Sequence, residues 1–505
     1  MVFNDAVLDA AVTEQGLAVS VTAEQSPVSY IRLRWNRELP EDALFCGDAW
    51  ERSYGDLRFA GMDASRMMPW YFLMRSGASF AGCGVMVRCG AMAQWSADPC
   101  GITLWLDVRS GTEGVRLNGR TLLAATVVSG SWETDSALEA GRNLCRLMCK
   151  DPLLPEEPVY GGNNWYYAYG SITHESVLAD CREIAELSRG LTVRPFMVID
   201  DGWEVRHCQP ENSGPWDRGN ERFPDMKRLA EEMRRTGVRP GIWFRPLWNE
   251  DAAIPEEWLL ARKGDNPTRY LDPSRPEVVE LVKQDVRRIV DWGYELIKHD
   301  FTTFDIFGSW GRAFSPWPAQ EPDWSFHDNS RTSAEIIVDL YRAIREAAGG
   351  ALILGCNTIG HLGAGLMHLS RTGDDTSGLR WDRTRKMGVN TLAFRLCQHK
   401  TFFDVDADCI GISSTVPGWL NMQWAELLAK SSTAFFASIT PGVMNGEERD
   451  AMRKCFELAS RQNVAAEPLD MLHNATPEKW SFDGEIRKFH WYEEGGATMD
   501  FLPPA

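Results

Sequence analysis

The sequence lacks the positive charge that binding to nucleic acid or to an anionic membrane requires. Its 505 residues carry 53 Lys and Arg against 71 Asp and Glu, a formal net charge of -18 at pH 7. Such a balance repels phosphate groups, and no basic stripe offsets it. We therefore expect no nucleic acid and no membrane as partners, and an uncharged substrate instead.

Segments that direct export or cross a membrane are lacking too. Residues 1–16 contain acids and no basic stretch followed by an apolar one, so they do not resemble a secretory signal peptide. No apolar run reaches the roughly 20 residues that a membrane-spanning helix needs. A cytoplasmic protein is the expectation.

Paired cysteine motifs of the zinc-binding kind are also lacking. The 12 cysteines are spread along the chain without a C-x-x-C pair, and the closest two, Cys145 and Cys149, have the spacing of one helix face. We therefore expect mostly reduced thiols and no metal site.

Tryptophan, by contrast, is abundant, with 21 residues. Most are expected to pack in the core. Trp165, Trp203 and Trp243 lie within polar segments at predicted strand ends, where an indole can stack on the apolar C–H face of a sugar ring. This placement points to a carbohydrate ligand.

The pattern of apolar residues changes along the chain. Residues 1–150 contain short β-rich runs separated by Gly, Asp and Asn, which predict an N-terminal antiparallel β-sandwich domain. For this domain we expect packing or oligomerisation rather than chemistry, and a homo-oligomer stays open.

After a proline-rich acidic linker, the pattern of apolar residues changes to that of alternating strands and helices. Residues 158–440 hold eight short apolar strands, nearly all followed by amphipathic helices, which predict an α/β fold with a catalytic (β/α)8 TIM barrel. Residues 441–505 predict one helix and a small C-terminal β-sheet.

Two acids stand at the ends of predicted barrel strands, each with a cation nearby in sequence. Asp300 follows Lys298, and Asp375 follows Arg371. Barrel enzymes keep their active sites at the rim where strands end, and double-displacement glycoside hydrolysis needs one carboxylate as nucleophile and one as proton donor. The sequence thus predicts a catalytic pair of Asp300 and Asp375.

Five motifs in order on successive predicted strands carry a resemblance to a known family. They are VIDDGW, IKHD, LGCN, SRTGDD and DADC. Over about residues 158–440 the chain resembles the catalytic barrel of retaining α-galactosidases of glycoside hydrolase family 36, with the related family 27 behind it. The resemblance implies that Asp300 is the nucleophile and Asp375 the acid/base, with Asp374 as the rival for that role.

The same resemblance implies the sugar-binding groups. Asp200 and Asp201 would grip the 4- and 6-hydroxyls of galactose, although a helix N-cap is the alternative for either residue. Lys298 would donate to a ring hydroxyl, and Trp165 and Trp203 would form walls of the pocket. Arg371 would orient the acid or hold a hydroxyl, and Cys356 and Asn357 would lie near the 2-hydroxyl.

Some expectations follow from local chemistry. Lys298, on the same strand face as Asp300, should keep that carboxylate ionised, whereas Asp374 should raise the pKa of Asp375. His299 should point away from the sugar and pack. The Asn357 amide either meets the 2-hydroxyl or reshapes the pocket for a 2-substituent.

Two further segments are interpreted from the pattern. Asp406 and Asp408 match an Asp-x-Asp motif of these families, with Ala407 replacing the usual Pro, and we interpret the pair as structural. The aromatic segment 301–333 is too long for a connector. It is expected either to cover the site as a lid or leaving-group subsite, or to pack on the N-terminal domain.

Together these features predict a retaining, exo-acting α-galactosidase that acts on an α-galactoside oligosaccharide or glycoconjugate without a cofactor. Alternatives with the same mechanism are an α-N-acetylgalactosaminidase, another α-glycosidase, or a galactosyl transferase of the raffinose-synthase kind. A non-catalytic sugar-binding barrel is the alternative of another class.

Overall fold

Antiparallel strands make up the first part of the chain. The computed structural model describes residues 1–207, 212–262, 269–314, 323–461 and 465–492. Its first elements are β1 (Val2–Phe3), β2 (Ala6–Thr13), β3 (Gly16–Thr22), β4 (Tyr30–Asn36), β5 (Leu44–Gly47), β6 (Met68–Pro69), β7 (Tyr71–Ser76), β8 (Ser79–Val85), β9 (Met92–Asp98), β10 (Gly101–Asp107), β11 (Thr121–Glu133) and α1 (Ala137–Met148).

These strands form two sheets around an aromatic core. One sheet has the order β1-β2-β3-β11-β8-β7-β5 and the other β4-β10-β9-β6. Phe72 of β7 and Trp95 of β9, both buried, meet edge to face across the gap with ring centroids 5.6 Å apart. Because alternate side chains of a strand point to one face, such rings fill the space between sheets. The predicted β-sandwich is confirmed.

Strands and helices then alternate. The elements are β12 (Tyr160–Asn163), α2 (Trp165–Ala168), α3 (His174–Leu187), β13 (Phe196–Ile199), α4 (Met226–Thr236), β14 (Arg239–Phe244), α5 (Pro276–Trp292), β15 (Leu296–His299), α6 (Thr302–Phe307), α7 (Ser333–Ala348), β16 (Leu352–Gly355), α8 (Gly360–Gly363), β17 (Leu369–Arg371), α9 (Trp381–Thr384), α10 (Thr391–Arg395), β18 (Asp404–Asp406), β19 (Ile410–Ile412), α11 (Gly418–Lys430), β20 (Phe435–Ile439) and α12 (Gly446–Ala459).

The parallel strands close into a barrel. Their order is β18-β17-β16-β15-β14-β13-β12-β20-β19, and β18 and β19 are two parts of one seventh strand. Asp408 between them has φ 74°, a left-handed conformation that a strand ladder cannot include. Next to β20, the Ala434 N–H donates to the Val405 carbonyl at 3.0 Å and completes the ring. The predicted (β/α)8 barrel is confirmed.

Two parts of the barrel depart from the simple alternation of strands and helices. The first strand is short and ends at Asn163, because the Asn163 side chain accepts from the Trp165 N–H at 2.9 Å and turns the chain into α2. The helix expected after strand six contains a π-helical stretch, Arg385–Asn390, between α9 and α10.

The last described elements form a small sheet beside the barrel. They are β21 (Ala466–Pro468), β22 (Lys479–Phe482) and β23 (Glu485–Lys488), paired in that order and antiparallel. No helix among the described residues is both long and apolar enough to cross a membrane.

A loop of the β-sandwich, residues 48–53, reaches the barrel rim after strand six. The Ser53 N–H donates to the Thr372 carbonyl, and the Asp374 N–H donates to the Ser53 carbonyl, both at 2.9 Å. Asp48 forms a buried ion pair with Arg395 at 2.8 Å. Glu51 and Arg52 are thereby held at the rim, which nothing in the sequence motifs predicts.

Candidate active site

The carboxylates predicted from the motifs gather at one rim of the barrel. β13, β15 and β17 are parallel members of one sheet, so their C-terminal ends point to the same side. Asp200 and Asp300 come directly after β13 and β15, and Asp375 comes four residues after the end of β17. The strands are buried and begin with apolar residues, and polar side chains such as Lys298 and Arg371 appear towards their C-terminal ends.

Asp300 is held by uncharged donors. Its Oδ2 accepts from the indole Nε1 of Trp243 at 2.9 Å, and its Oδ1 accepts from the backbone N–H groups of Phe301 at 2.7 Å and Asn357 at 3.0 Å. Phe301 has φ 65°, a left-handed conformation that is uncommon outside glycine. These bonds fix the direction in which the carboxylate points.

Lys298 forms a direct ion pair with Asp200. Its Nζ donates to Asp200 Oδ2 at 2.6 Å, and Asn163 Nδ2 donates to the same oxygen at 2.6 Å. Burial is the largest single effect and disfavours the ammonium, but Asp200, Cys356 and Asp300 together outweigh it, so the pKa of Lys298 lies well above its usual value. The direct ion-pair partner of Lys298 is thus Asp200, and the charge of Asp300 also helps to raise the pKa of Lys298. That Lys298 keeps Asp300 ionised stays a prediction.

Asp201 belongs to a second group of buried polar side chains. Its Oδ2 accepts from Asn212 Nδ2 at 3.0 Å, and it shares a hydrogen bond with the carboxyl group of Glu204. Burial raises the pKa of both carboxyl groups, with the charge of Asp200 as a further cause at Asp201 and the charge of Asp201 as a further cause at Glu204. Glu204 is a member of the site that the motifs did not indicate.

Asp375 lies between two guanidinium groups. Its Oδ1 accepts from Arg371 Nη2 at 2.9 Å and Arg52 Nη1 at 3.5 Å, and its side chain is 38% exposed. Burial acts to raise the pKa of Asp375, but the charges of Arg371, Arg52 and Lys298 outweigh it and hold the pKa well below its usual value. The expectation that Asp374 raises this pKa is therefore wrong.

Asp374 occupies a more enclosed place. It pairs with Arg52 Nη2 at 3.2 Å and with Arg383 Nη2 at 2.8 Å, and its side chain is only 9% exposed. Both of its oxygens are engaged by cations. Of the two neighbouring acids, Asp375 is the one that a ligand can reach.

Arg371 joins the groups around strand six. Besides Asp375, its Nη1 contacts Asp408 Oδ1 at 3.1 Å and Cys356 Sγ at 3.6 Å. Asp408 also accepts from the Thr376 N–H at 2.7 Å, so it fixes both the guanidinium and the loop that carries Asp375. These contacts support the structural interpretation of Asp408. Burial raises the pKa of Cys356 well above its usual value, which favours a neutral thiol there.

The Asn357 side chain forms hydrogen bonds at both ends of its amide. Its Nδ2 donates to Glu51 Oε2 at 2.9 Å, and its Oδ1 accepts from the Phe304 N–H at 3.2 Å. Both ends of the amide thus serve the contact between the β-sandwich loop and the loop after strand four. Its role towards the 2-position of a sugar stays a prediction.

Two of the three tryptophans expected to stack on a sugar have no face to offer. Trp203 is fully buried against Trp216 and Trp292, and Trp243 is 1% exposed with its indole N–H on Asp300. Their assignment as stacking walls is corrected to packing and to support of Asp300. Trp165 is half-buried at the rim and stays a candidate.

His299 and the described end of the long aromatic segment pack against neighbouring elements. His299 is buried edge to face against Tyr341, as expected of a packing residue. In the segment 301–333, Trp324 is 5% exposed, and its carbonyl accepts from the Thr112 N–H of the β-sandwich at 2.9 Å. This end of the segment packs on the N-terminal domain, whereas residues 315–322 lie outside the described part.

The described ranges offer no cluster of ligands suited to a metal ion. Within residues 1–207, 212–262, 269–314, 323–461 and 465–492, no group of three or more His, Cys, Asp or Glu side chains is arranged to hold one.

The chain thus combines a β-sandwich with a (β/α)8 barrel whose rim carries paired acids, the fold class of known glycoside hydrolases. Its structure resembles an α-galactosidase from Thermus thermophilus solved with p-nitrophenyl α-D-galactopyranoside, with TM-score 0.63, 18% identity, and 95% of this chain and 99% of that one covered. It also resembles the family 36 α-galactosidase AgaA from Geobacillus stearothermophilus, with TM-score 0.60, 13% identity and coverages of 92% and 67%.

A protein named Kfla1895, solved as a mutant in complex with isomaltose, is similar as well, with TM-score 0.56, 13% identity and coverages of 99% and 79%. No protein-family model and no curated protein sequence matches the chain. At these identities the likeness establishes the fold.

Proposed function

We propose that the protein is a retaining, exo-acting α-galactosidase that releases terminal α-linked galactose through a covalent glycosyl-enzyme. The observation that carries the proposal is the pair of rim carboxylates in contrasting surroundings, Asp300 among neutral donors and Asp375 between cations. Double displacement requires one carboxylate that attacks and a second that transfers protons.

In the first step Asp300 attacks the anomeric carbon while Asp375 gives a proton to the leaving oxygen. The indole of Trp243 and two backbone N–H groups hold Asp300 in one orientation, which lowers the entropic cost of attack. The bond to the leaving group breaks as the bond to Asp300 forms. In the second step Asp375 takes a proton from water, whose oxygen bonds to the anomeric carbon as the bond to Asp300 breaks, and the sugar leaves.

The charges around Asp375 affect the pH dependence of the proposed reaction. Arg371 and Arg52 help to hold its pKa well below the usual value, so the protonated form needed for the first step becomes scarcer as pH rises. We therefore expect kcat/KM to decline on the basic side from an acidic optimum.

Four polar groups near the nucleophile suit a galactose ring. Asp200 and Lys298 form an ion pair whose remaining lone pairs and N–H groups can meet ring hydroxyls, and Asp201 lies beside Asp200. An acceptor placed for an axial 4-hydroxyl selects against glucose, because an unmet buried acceptor is costly. Cys356, small and neutral, suits a free 2-hydroxyl, whereas the Asn357 amide is engaged by Glu51 and by the Phe304 N–H.

A panel of p-nitrophenyl α-glycosides tests the sugar. We expect release from the α-galactoside at least about 100 times faster than from the α-glucoside or the α-N-acetylgalactosaminide. Proton NMR of the first product should show α-galactose before mutarotation. Turnover of the α-glucoside or the acetamido sugar alone would refute the proposed specificity, and β-galactose as first product would refute retention.

A further inference from the structure

A chain of buried hydrogen bonds leads from Arg245, the residue after β14, to Asp201. The Arg245 guanidinium pairs with both oxygens of Asp305 and donates through Nη1 to Asn212 Oδ1. Because a guanidinium group only donates, it fixes the Asn212 amide with its oxygen towards Arg245. Asn212 Nδ2 then donates to Asp201 Oδ2 at 3.0 Å. All four side chains are at most 5% exposed, so the chain of hydrogen bonds lies in the interior.

Glu204 completes the surroundings of Asp201. Its side chain is fully buried, and its Oε2 accepts from the Gly202 N–H at 3.0 Å. A hydrogen bond joins the Glu204 and Asp201 carboxyl groups. Within the described ranges, no N–H or hydroxyl group donates to the two oxygens that remain, Asp201 Oδ1 and Glu204 Oε1. Ionised carboxylates only accept, so the bond between the two groups requires a proton on one of them.

The charges around the two acids decide which of them holds this proton. Arg245 favours the ionised form of Asp201, whereas the charge of Asp200 opposes it. At Glu204, burial is the largest effect and the charge of Asp201 the next, and both favour the neutral acid. Arg222, in the same loop, donates to two backbone carbonyl groups. The proton therefore belongs to Glu204, and Asp201 is the carboxylate that accepts from it.

We propose that Glu204 is a positioning residue that acts through Asp201: as a neutral acid it donates a hydrogen bond to Asp201, which stays ionised and keeps one direction towards the galactose ring. With donors from both Asn212 and Glu204, the Asp201 carboxylate cannot turn without leaving a buried group unpaired. An acceptor that is oriented before the sugar binds loses less conformational entropy on binding. The inference rests on the proposed function, in which Asp201 meets the 4- or 6-hydroxyl of galactose.

Three variants measure this role. Glu204→Gln keeps a donor for Asp201 and an acceptor for the Gly202 N–H, whereas Glu204→Ala leaves a buried oxygen of Asp201 without a donor. Asp285→Asn is the matched control, because Asp285 is a 4% exposed acid on α5 whose pKa burial raises to about 6. Its ion-pair partner is Arg288 of the same helix.

Inhibition of p-nitrophenyl α-galactoside hydrolysis by D-galactose gives the affinity of the site for the sugar. For Glu204→Ala we expect the inhibition constant to rise about tenfold, because a buried acceptor is left unpaired, and kcat to change less than about threefold. Glu204→Gln should stay within about threefold of wild type, since its amide replaces the proton as donor. Asp285→Asn should alter neither quantity.

Deoxy sugars separate a role through Asp201 from a general structural effect. Of 4-deoxygalactose and 6-deoxygalactose, the one that lacks the hydroxyl bound by Asp201 should lose less than about threefold in Glu204→Ala, where D-galactose loses about tenfold. An equal loss for all three sugars would overturn the inference. So would a Glu204→Gln variant that binds galactose as weakly as Glu204→Ala.

Infrared spectroscopy detects the proton itself, without any substrate. The difference spectrum between wild type and Glu204→Gln at pH 7 should show the C=O stretch of a neutral carboxyl group, and this band should shift in heavy water. Absence of the band would mean that Glu204 is ionised, and it would overturn the inference even if Glu204→Ala does not fold. Hydrolysis of the α-galactoside by the wild type is measured first. Its absence would instead refute the proposed function, whereas the infrared result would still test the proton on Glu204.

Discussion

The rim after strand four and the rim after strand six hold their acids in opposite ways. Asp300 is 8% exposed and accepts three hydrogen bonds from uncharged N–H groups. Asp375 is 38% exposed and lies against two guanidinium groups. The donors to Asp300 all come from the barrel, whereas one cation beside Asp375, Arg52, comes from the β-sandwich.

This difference matches two chemical demands. A nucleophile must point in one direction throughout, and fixed neutral donors supply that orientation. An acid/base must lose and regain a proton in each cycle, so the charges around it determine the pH range in which it works. The β-sandwich is therefore more than a packing domain in this proposal, because it supplies part of the charge at the second acid.

Replacing Asp300 with Ala is the most direct test of the different roles proposed for the two acids. We expect kcat on p-nitrophenyl α-galactoside to fall at least about 10⁴-fold, because the change removes the carboxylate that forms the covalent intermediate. Steady-state rates and circular dichroism of the purified variant measure activity and fold. A folded variant that keeps more than about one hundredth of the activity would refute the assignment.

Changes at the two neighbouring acids after strand six test which of them is the acid/base. Asp375→Ala should lower kcat/KM for methyl α-galactoside about 10²- to 10⁴-fold, and less for p-nitrophenyl α-galactoside, whose leaving group needs little protonation. Asp374→Asn, which changes an acid enclosed by Arg52 and Arg383, should lower both rates to a similar and smaller extent. Dependence on the leaving group in Asp374→Asn alone would move the acid/base role to Asp374.

Two buried tryptophans test how much the neutral donors matter. Trp243→Phe removes the indole N–H that donates to Asp300, whereas Trp203→Phe removes one that donates to the Trp243 carbonyl. We expect about a tenfold loss of kcat for Trp243→Phe and a smaller loss for Trp203→Phe at similar thermal stability. Equal kinetic losses would show that packing, and not the bond to Asp300, is responsible.

Much of the fold could be predicted from the sequence because its signals are local. Short apolar runs such as Phe196–Ile199, each followed by polar residues, identify the barrel strands and the rim on which they end. The break in the seventh strand at Asp408 could not be predicted. The left-handed backbone of Asp408 goes with contacts to Arg371, at the end of strand six, and to Thr376, in the loop that follows it.

The positions of the rim acids followed from strand ends, but their partners did not. Which acid pairs with Lys298 depends on the barrel's curvature, which brings Asp200 within 2.6 Å. Arg52 and Glu51 lie more than 240 residues before Asp300 in the sequence, and no spacing pattern connects them to it. Trp243 was expected to stack, because a tryptophan at a strand end has the same sequence context whether its ring meets solvent or a carboxylate.

The contribution of the β-sandwich to Asp375 gives the smallest and most specific prediction. Arg371 and Arg52 both act to lower the pKa of Asp375, so Arg52→Gln should raise that pKa while Arg371 still lowers it. Because the general acid works protonated, the basic limb of the kcat/KM profile should then move to higher pH, by up to about one unit. Arg52→Lys, which keeps the charge, should leave the limb within about 0.3 units of wild type. A limb that stays in place, or moves to lower pH, in Arg52→Gln would mean that barrel residues alone set the ionisation of Asp375, and the contrast between the two rims would then owe nothing to the β-sandwich.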